Sequence, residues 1–203
     1  MTSPCPRAAR RAVRAPWRTA WPLLAALPLL VFSYACVAPA AVPAAPATDP
    51  AREAGLSEAH LAELRALGMP LAVPVLPEGW ALRALQTDAD AGGAYYALVY
   101  GRAADGACFA VSGASDGFGG PEFPIVSAGV RLASLPRAPL ARLYQAADDP
   151  LATSAQNWGV GALISEFVAL DGLFVTFSST PDEGCRALSL EEGAALFATL
   201  RLL

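Results

Sequence analysis

The chain after residue 80 is a succession of short apolar runs, each ending at a turn rich in Gly, Asp or Pro. Several runs alternate apolar with small or polar residues, which is the period of a β-strand. The predicted strands are residues 80–86, 95–100, 108–112, 125–132, 140–144 and 173–177, and a further apolar run, residues 158–170, is broken by two glycines. Asp171-Gly172 is a strong hairpin signal. This order, without alternation of strands and helices, predicts an antiparallel sheet.

Two helices are predicted to flank the strands. Residues 56–67 form a short helix in which Ser57 is the N-cap and leucines repeat every three residues. Ser189 and Glu192 form a capping box that begins a C-terminal helix. Such a helix is marginal alone and has to pack on the sheet. We therefore predict an α+β domain with an antiparallel sheet of about five to seven strands, a short N-terminal helix and a C-terminal helix packed on the sheet.

The first 35 residues have the composition of a secretory signal peptide. Five arginines and no acidic residue lie in the first 18 positions, and residues 21–35 form an uncharged apolar run. This run is shorter than the ~20 residues of a bilayer span, so an uncleaved anchor is the weaker alternative. Residues 36–53 are largely Ala and Pro, which predicts an extended tether. The folded α+β domain is then residues 54–203.

The cleavage site leaves two alternatives open. Ser33 and Ala35 are small residues of the kind that ordinary signal peptidase requires. Cys36 follows directly and precedes the tether, which favours cleavage and lipidation of Cys36 as in a bacterial lipoprotein. Against lipidation, Ser33 stands where the lipoprotein motif usually has Leu, and Tyr34 is bulky. The protein is thus predicted to lie on the periplasmic side of a membrane as a lipoprotein, or to be soluble in the periplasm or outside the cell.

The charge distribution argues against a nucleic-acid partner. All 14 basic residues are arginine, and five of them lie in the leader, which leaves nine against the 18 acidic residues that follow it. Nucleic-acid affinity depends on clustered Lys and Arg that contact phosphates. A chain this acidic is a poor candidate for that role.

Cys108 and Cys185 are the two cysteines that remain after the leader and Cys36 are set aside. In an oxidising compartment an even pair predicts a disulfide, with two buried thiols as the alternative. Two cysteines and one histidine do not complete a zinc site, so no metal is predicted.

The glycine-rich stretch of residues 108–123 contains the one segment with a catalytic pattern. Residues 113–117 match G-x-S-x-G after a predicted strand, as a nucleophile elbow does. The mechanism also requires a histidine after the serine, whereas the single histidine, His60, lies in the first helix and is expected to be exposed. We therefore predict no enzyme activity and no cofactor. Asp116 and Phe118, at the loop tip, are candidate contacts with a partner.

Three stretches carry a resemblance to a known family. They are residues 76–80 (LPEGW), the glycine-rich stretch 108–123, and residues 185–203. Together they resemble small, uncharacterised exported proteins of cyanobacteria, a resemblance that implies no known activity. Residues 77–80 and the terminal helix are also similar to bacterial envelope domains related to lipoprotein-sorting carriers. That likeness implies a curved sheet that cradles an apolar chain.

Two functions follow as hypotheses. The first is an exported, envelope-tethered domain with a structural or partner-binding role, attached to the membrane through Cys36 if this residue is lipidated. The second is a carrier of an apolar ligand, which requires a large apolar cavity. An enzyme that uses a pair of carboxylates is a third alternative, for which no particular pair is selected.

Overall fold

A computed structural model describes residues 49–90, 92–116, 126–181 and 184–203. These residues form an α+β domain in which every pair of neighbouring strands is antiparallel, which confirms the predicted fold class. The helices are α1 (Pro50–Glu53), α2 (Glu58–Ala66), α3 (Thr153–Trp158) and α4 (Leu190–Phe197). The strands are β1 (Ala72–Val73), β2 (Trp80–Asp90), β3 (Gly93–Arg102), β4 (Ala107–Ala114), β5 (Val126–Arg131), β6 (Leu140–Gln145), β7 (Leu163–Ser165), β8 (Val168–Leu170), β9 (Leu173–Ser179) and β10 (Arg201–Leu202).

The main sheet has eight strands, seven of which follow the order β2-β3-β4-β9-β7-β6-β5, while β8 pairs with β9. Short turns produce the β2–β3 and β3–β4 hairpins. Asp171-Gly172 turns β8 into β9, with Leu170 opposite Leu173, as the sequence predicted. The centre of the sheet depends instead on a distant pairing, because β4 lies beside β9 with Ala110 opposite Ser178. One irregularity interrupts the β2–β3 ladder between Leu82 and Ala84, where Arg83 is the extra residue.

Side-chain alternation divides the main sheet into two faces. On the face toward α4, here called the helix face, the central strands place fully buried rings, among them Tyr100, Phe109 and Phe177. Phe109 stacks on Phe177 with ring centroids 5.2 Å apart, and Phe177 lies 5.5 Å from Phe197 of α4. Offset rings at these separations add attraction to the apolar area they bury. The space between sheet and helix is therefore occupied by aromatic side chains.

Helix α4 begins as the sequence predicted. The Ser189 hydroxyl accepts a hydrogen bond from the Glu192 N–H at 3.2 Å, and the Glu192 carboxylate accepts one from the Ser189 N–H at 3.2 Å. The helix then approaches the sheet closely at Gly193. A Cβ added there would overlap Cδ1 of Leu163 and lie 3.2 Å from Cδ2 of Leu143.

The folded domain begins earlier than the predicted boundary between residues 53 and 54. Asp49 caps α1 by accepting a hydrogen bond from the Ala51 N–H at 3.0 Å, and Pro50 occupies the first helical position, where its missing N–H is not needed. Ala51 and Ala54 are buried in the core. The Ala/Pro composition of the tether continues into this turn, so composition alone placed the boundary too late.

Helix α3 and strands β1 and β10 were not predicted. Helix α3 lies in a stretch without helical periodicity. The apolar run of residues 158–170 contains the end of α3, strand β7 and strand β8. Strands β1 and β10 form a separate two-stranded sheet, with Ala72 opposite Leu202. The Tyr96 hydroxyl connects this small sheet to the main one, because it accepts a hydrogen bond from the Ala72 N–H at 2.8 Å.

The close approach at Gly193 predicts that Gly193→Ala destabilises the protein by about 1–3 kcal/mol, since the added methyl group overpacks the core. This sign opposes helix propensity, which favours Ala over Gly by about 1 kcal/mol. Urea unfolding followed by far-UV circular dichroism measures the change. Ala195→Gly, at an exposed position of the same helix, is the control and should cost about 1 kcal/mol. Stabilisation by Gly193→Ala would show that α4 is packed less tightly than described.

Candidate functional site

The second face of the main sheet, here called the open face, carries small side chains at its centre. Val99, Ala110 and Ser178 are neighbours across β3, β4 and β9 on this face, and each is half-buried. Their sequence neighbours on the helix face, Leu98 and Phe177, have no exposed area. Antiparallel sheets commonly leave one face to solvent. The open face is thus accessible over the middle of the sheet.

The disulfide lies at one end of the open face. The sulfur atoms of Cys108 and Cys185 are at bonding distance and their Cα atoms are 5.3 Å apart, within the range of natural disulfides, which confirms the predicted pairing. Backbone hydrogen bonds support the bond, from the Cys108 N–H to the Arg186 carbonyl at 3.1 Å and from the Arg186 N–H to the Gly106 carbonyl at 2.8 Å. The segment that leads into α4 is thereby fastened to the start of β4.

A groove of about 480 Å³ runs beside the disulfide, and we call it the disulfide groove. Its lining combines polar and small apolar side chains with the two cysteines. The lining residues include Arg83, Ala84, Gln86, Val99, Cys108, Ala110, Ser178, Thr180 and Cys185. A floor of this kind, with hydroxyl and amide groups beside small apolar ones, suits a ligand that forms hydrogen bonds.

Among the described residues that line the disulfide groove, Arg83 is the one cation. The bulge in β2 directs its side chain across Gly101, where an added Cβ would overlap the Arg83 methylenes. The guanidinium Nη1 then lies 3.1 Å from the Cys108 sulfur and 3.7 Å from the Cys185 sulfur. Sulfur is a weak acceptor. Gly101 and the disulfide therefore hold the Arg83 side chain in place. Its guanidinium forms no ion pair with a described carboxylate.

An apolar patch adjoins the open face at α3. Leu151, Trp158 and Val160 are 80%, 39% and 43% exposed, which is unusual for large apolar side chains close together in the sequence. Trp158 lies against Tyr144 and Ile164 around a small cavity of about 20 Å³. Clustered apolar exposure of this kind marks interaction surfaces in soluble domains.

An ion-pair network lies near the disulfide. The Arg102 guanidinium contacts Asp105 at 2.7 Å and Glu192 at 2.8 Å, and Arg186 pairs with Asp105 as well. Hydrogen bonds from Arg102 and then Arg186 hold the pKa of the Asp105 carboxyl well below its ordinary value. Hydrogen bonds from Arg102 and from the Ser189 N–H lower the pKa of Glu192. These charges fasten the β3–β4 turn to the N-terminus of α4.

The loop residues predicted as contacts are placed only in part. Asp116 is exposed beyond the end of β4, close to Gly93, whereas Phe118 lies outside the described residues, as does Cys36. Ser115, the serine of the G-x-S-x-G motif, accepts a hydrogen bond from the Ala94 N–H at 2.9 Å. Its hydroxyl therefore takes part in the β3–β4 pairing.

His60 has a structural position that the sequence analysis missed. Its Nδ1 accepts a hydrogen bond from the Ser57 N–H at 3.3 Å, while the Ser57 hydroxyl accepts one from the His60 N–H at 3.2 Å. The imidazole thus replaces Glu or Gln in a capping box and is half-buried, where an exposed side chain was expected. Its place three residues after a serine N-cap was the available signal. Among the described residues no group of three His, Cys, Asp or Glu side chains is arranged to hold a metal ion.

The geometry defines an α+β domain with one helix-covered sheet face and one open face that bears a groove. No protein-family model, no curated protein and no solved structure matches the chain. In the part of the chain that the structure describes, no helix has the length and apolar character needed to cross a membrane. The likenesses to cyanobacterial exported proteins and to lipoprotein-sorting carriers remain predictions.

The disulfide predicts a loss of stability on reduction. It closes a loop of 77 residues, and removal of such a constraint typically costs about 2–4 kcal/mol. Urea unfolding with and without a phosphine reductant should show this difference, and peptide mapping of the denatured, unreduced protein should find Cys108 and Cys185 unlabelled by a thiol reagent. Cys185→Ser is the control, because its stability should not respond to the reductant. Labelling of both residues before reduction would disprove the bond.

The lowered pKa of Glu192 predicts an acid-dependent loss of stability. A carboxyl whose pKa is depressed on folding stabilises the protein above its unfolded pKa, and this contribution is lost as the pH falls through the lowered pKa of the folded state. Glu192→Gln keeps the capping hydrogen bonds but removes the charge. It should cost about 0.5–1 kcal/mol at pH 7, as exposed pairs do, and less at pH 3. Urea unfolding at both pH values measures this, with exposed Glu191→Gln as the control. An equal cost at both values would contradict the ion-pair role.

Proposed function

We propose that this protein is an exported, envelope-tethered domain that binds a partner protein through the open face of its sheet. The observation that carries the proposal is the contrast between the faces: rings fill the helix face, while Val99, Ala110 and Ser178 remain half-buried on the other. A solvated face alone is ordinary for an antiparallel sheet. The exposed Trp158, which lies against Tyr144 and Ile164 of this face, supplies the additional apolar surface that a docking site needs.

The packing of the helix face favours partner binding over transport of an apolar ligand. A carrier needs space between its sheet and helices, whereas Phe109, Phe177 and Phe197 form a continuous stack there. The disulfide groove lies on the opposite face and includes polar side chains such as Gln86 and Thr180. These features suit a protein surface better than an acyl chain.

Attachment to the membrane is the second part of the proposal. The basic leader, the apolar run that follows and the Ala/Pro-rich tether support export, and Cys36 is the proposed site of a lipid. A tether would hold the domain away from the bilayer, so that its open face is accessible to a partner in the envelope.

Site-specific photo-crosslinking in the native host tests the proposal. Benzoylphenylalanine at Gln86 or at Trp158, which lie toward opposite ends of the open face, should crosslink to the same protein, identified by mass spectrometry. The same probe at Ala62, on the exposed side of α2, is the control and should not. A partner that covers the open face would contact both positions, so both probes would form a crosslink to the same protein. A product formed equally from Ala62, or none from either open-face position, would disprove the proposal.

The purified, uncrosslinked chain from the same cells tests the tether. Its intact mass should correspond to a chain that begins at Cys36 and carries a lipid. A chain that begins at Cys36 without a lipid would remove the membrane attachment and leave the binding surface in place.

A further inference from the structure

We propose that the open face binds an extended acidic segment of a partner protein and that Arg83 recognises a carboxylate of that segment. The inference rests on the proposed function and adds the chemistry of the partner. It follows from which arginines are paired and which are not, from the geometry around Arg83, and from the spacing of charges across the sheet.

Nine arginines follow the leader, and three of them, Arg52, Arg65 and Arg137, form no described ion pair and lie outside the comparison. The other six fall into two groups. Arg102, Arg186 and Arg201 each contact a carboxylate, in the network near α4 or, for Arg201, at Glu53. The guanidinium groups of the open-face strand arginines form no ion pair with a described carboxylate. The Arg83 guanidinium donates to the disulfide sulfurs, and the Arg131 guanidinium donates to the Ala138 carbonyl at 3.0 Å. At Arg142 the backbone N–H donates to the Glu166 carboxylate at 2.8 Å.

Alternation along β5 and β6 places two further arginines on the open face. Val130 and Leu143 are buried toward the helix face. Their sequence neighbours Arg131 and Arg142 therefore point to the open face, because successive side chains of a strand alternate. Both are exposed. In a domain with an excess of acidic residues, these three guanidinium groups without a described ion pair favour negative charge on the open face, most clearly at Arg83 and Arg131, since a carboxylate, that of Glu166, already lies at Arg142.

The position of Arg83 suits a carboxylate in particular. Its methylenes lie on Gly101 and its guanidinium lies against the disulfide, so little side-chain entropy is lost on binding. A guanidinium presents a planar fork of donors that matches the two oxygens of a carboxylate. The groove beside it has a volume of about 480 Å³, and Gln86, Ser178 and Thr180 in its lining add hydrogen-bonding groups.

The spacing of the charges favours an extended peptide over a compact anion. Five inter-strand steps separate β2, which carries Arg83, from β6, which carries Arg142. At about 4.8 Å per step the two strands are about 24 Å apart, the length of about seven extended residues. Between β2 and β9 the floor includes Ala110 and Ser178, which leave room for a backbone. Over β7 and β6 the segment would pass beside Trp158, which lies against Tyr144 and Ile164. Separated carboxylates on one extended chain fit this arrangement.

The test uses NMR of the isotope-labelled full-length protein and a synthetic probe, acetyl-Glu-Ala-Leu-Ser-Ala-Leu-Glu-amide. The peptide should shift the side-chain Nε resonance of Arg83 and the backbone amides of Gln86 and Ala110. A matched peptide with Gln in place of both Glu residues should bind about tenfold more weakly, because the charge-assisted hydrogen bonds are lost.

Three variants locate the effect. Arg83→Gln should weaken binding of the acidic peptide about five- to tenfold, and Arg83→Lys should weaken it less, since it keeps the charge but loses the planar fork. Arg65→Gln, at an exposed position of α2, is the control and should bind as the wild type does. A dispersed amide spectrum checks that each variant is folded. If Arg83→Gln does not fold, the test rests on the weaker binding expected of Arg83→Lys.

Four outcomes would overturn the inference: equal binding of the Gln peptide, unchanged binding by Arg83→Gln, equal shifts at Arg65, or a shift at Arg83 produced by dodecanoate and not by the peptide. The last result would assign the site to a lipid carboxylate. If any of these outcomes occurs while Gln86 and Trp158 still crosslink to one protein, the proposed function stands. Only the recognition of an acidic segment by Arg83 is then wrong. Absence of the crosslinks would remove the proposed function itself.

Discussion

The packing of α4 on one face of the sheet is the interaction on which the rest of the structure depends. Phe197 of the helix continues the ring stack of Phe109 and Phe177, and Gly193 lets the helix backbone approach Leu163. Apolar area of this kind, removed from water at about 25 cal/mol per Å², is the main favourable term in folding. Because the helix is marginal alone, sheet and helix stabilise each other. Their contact also leaves the opposite face of the sheet uncovered at its centre.

The N-terminus of α4 is held by several different interactions in one place. The Ser179 hydroxyl accepts the Leu188 N–H at 2.9 Å and donates to the Cys108 carbonyl, so one buried side chain joins β9, β4 and the segment before the helix. The disulfide and the pair between Arg102 and Glu192 act on the same segment. Each exposed ion pair contributes little by itself. Together with the covalent bond they fix the wall of the disulfide groove.

The open face combines features that occur separately on most surfaces. Its floor is of small residues, its margin exposes Trp158, and Arg83 is positioned by a strand bulge and by the disulfide. Bulges often redirect a side chain next to functional sites. The disulfide thus has two roles. It fastens the segment before α4 to the start of β4, and its sulfur atoms contact the Arg83 guanidinium as weak acceptors that carry no charge.

The sequence by itself determined the local features of this protein. Capping residues such as Ser57 and Ser189, the hairpin turns and the even cysteine pair depend on neighbouring residues or on compartment, so the fold class, the strand region and the pairing of Cys108 with Cys185 were predictable. Elements without local signals were missed, such as α3, which has no side-chain cap, and β10, whose two residues are extended only because β1 lies beside them.

Only the tertiary structure decided which face of the sheet is covered and where the candidate site lies. The strands that meet at the disulfide groove, β2 and β9, are far apart in the chain, and nothing local in either one shows that they share a surface. Arg83 was not singled out for the same reason. Its neighbours in the sequence predict an ordinary strand residue, whereas its role depends on a bulge against β3, on Gly101 and on a disulfide whose second cysteine lies more than a hundred residues later.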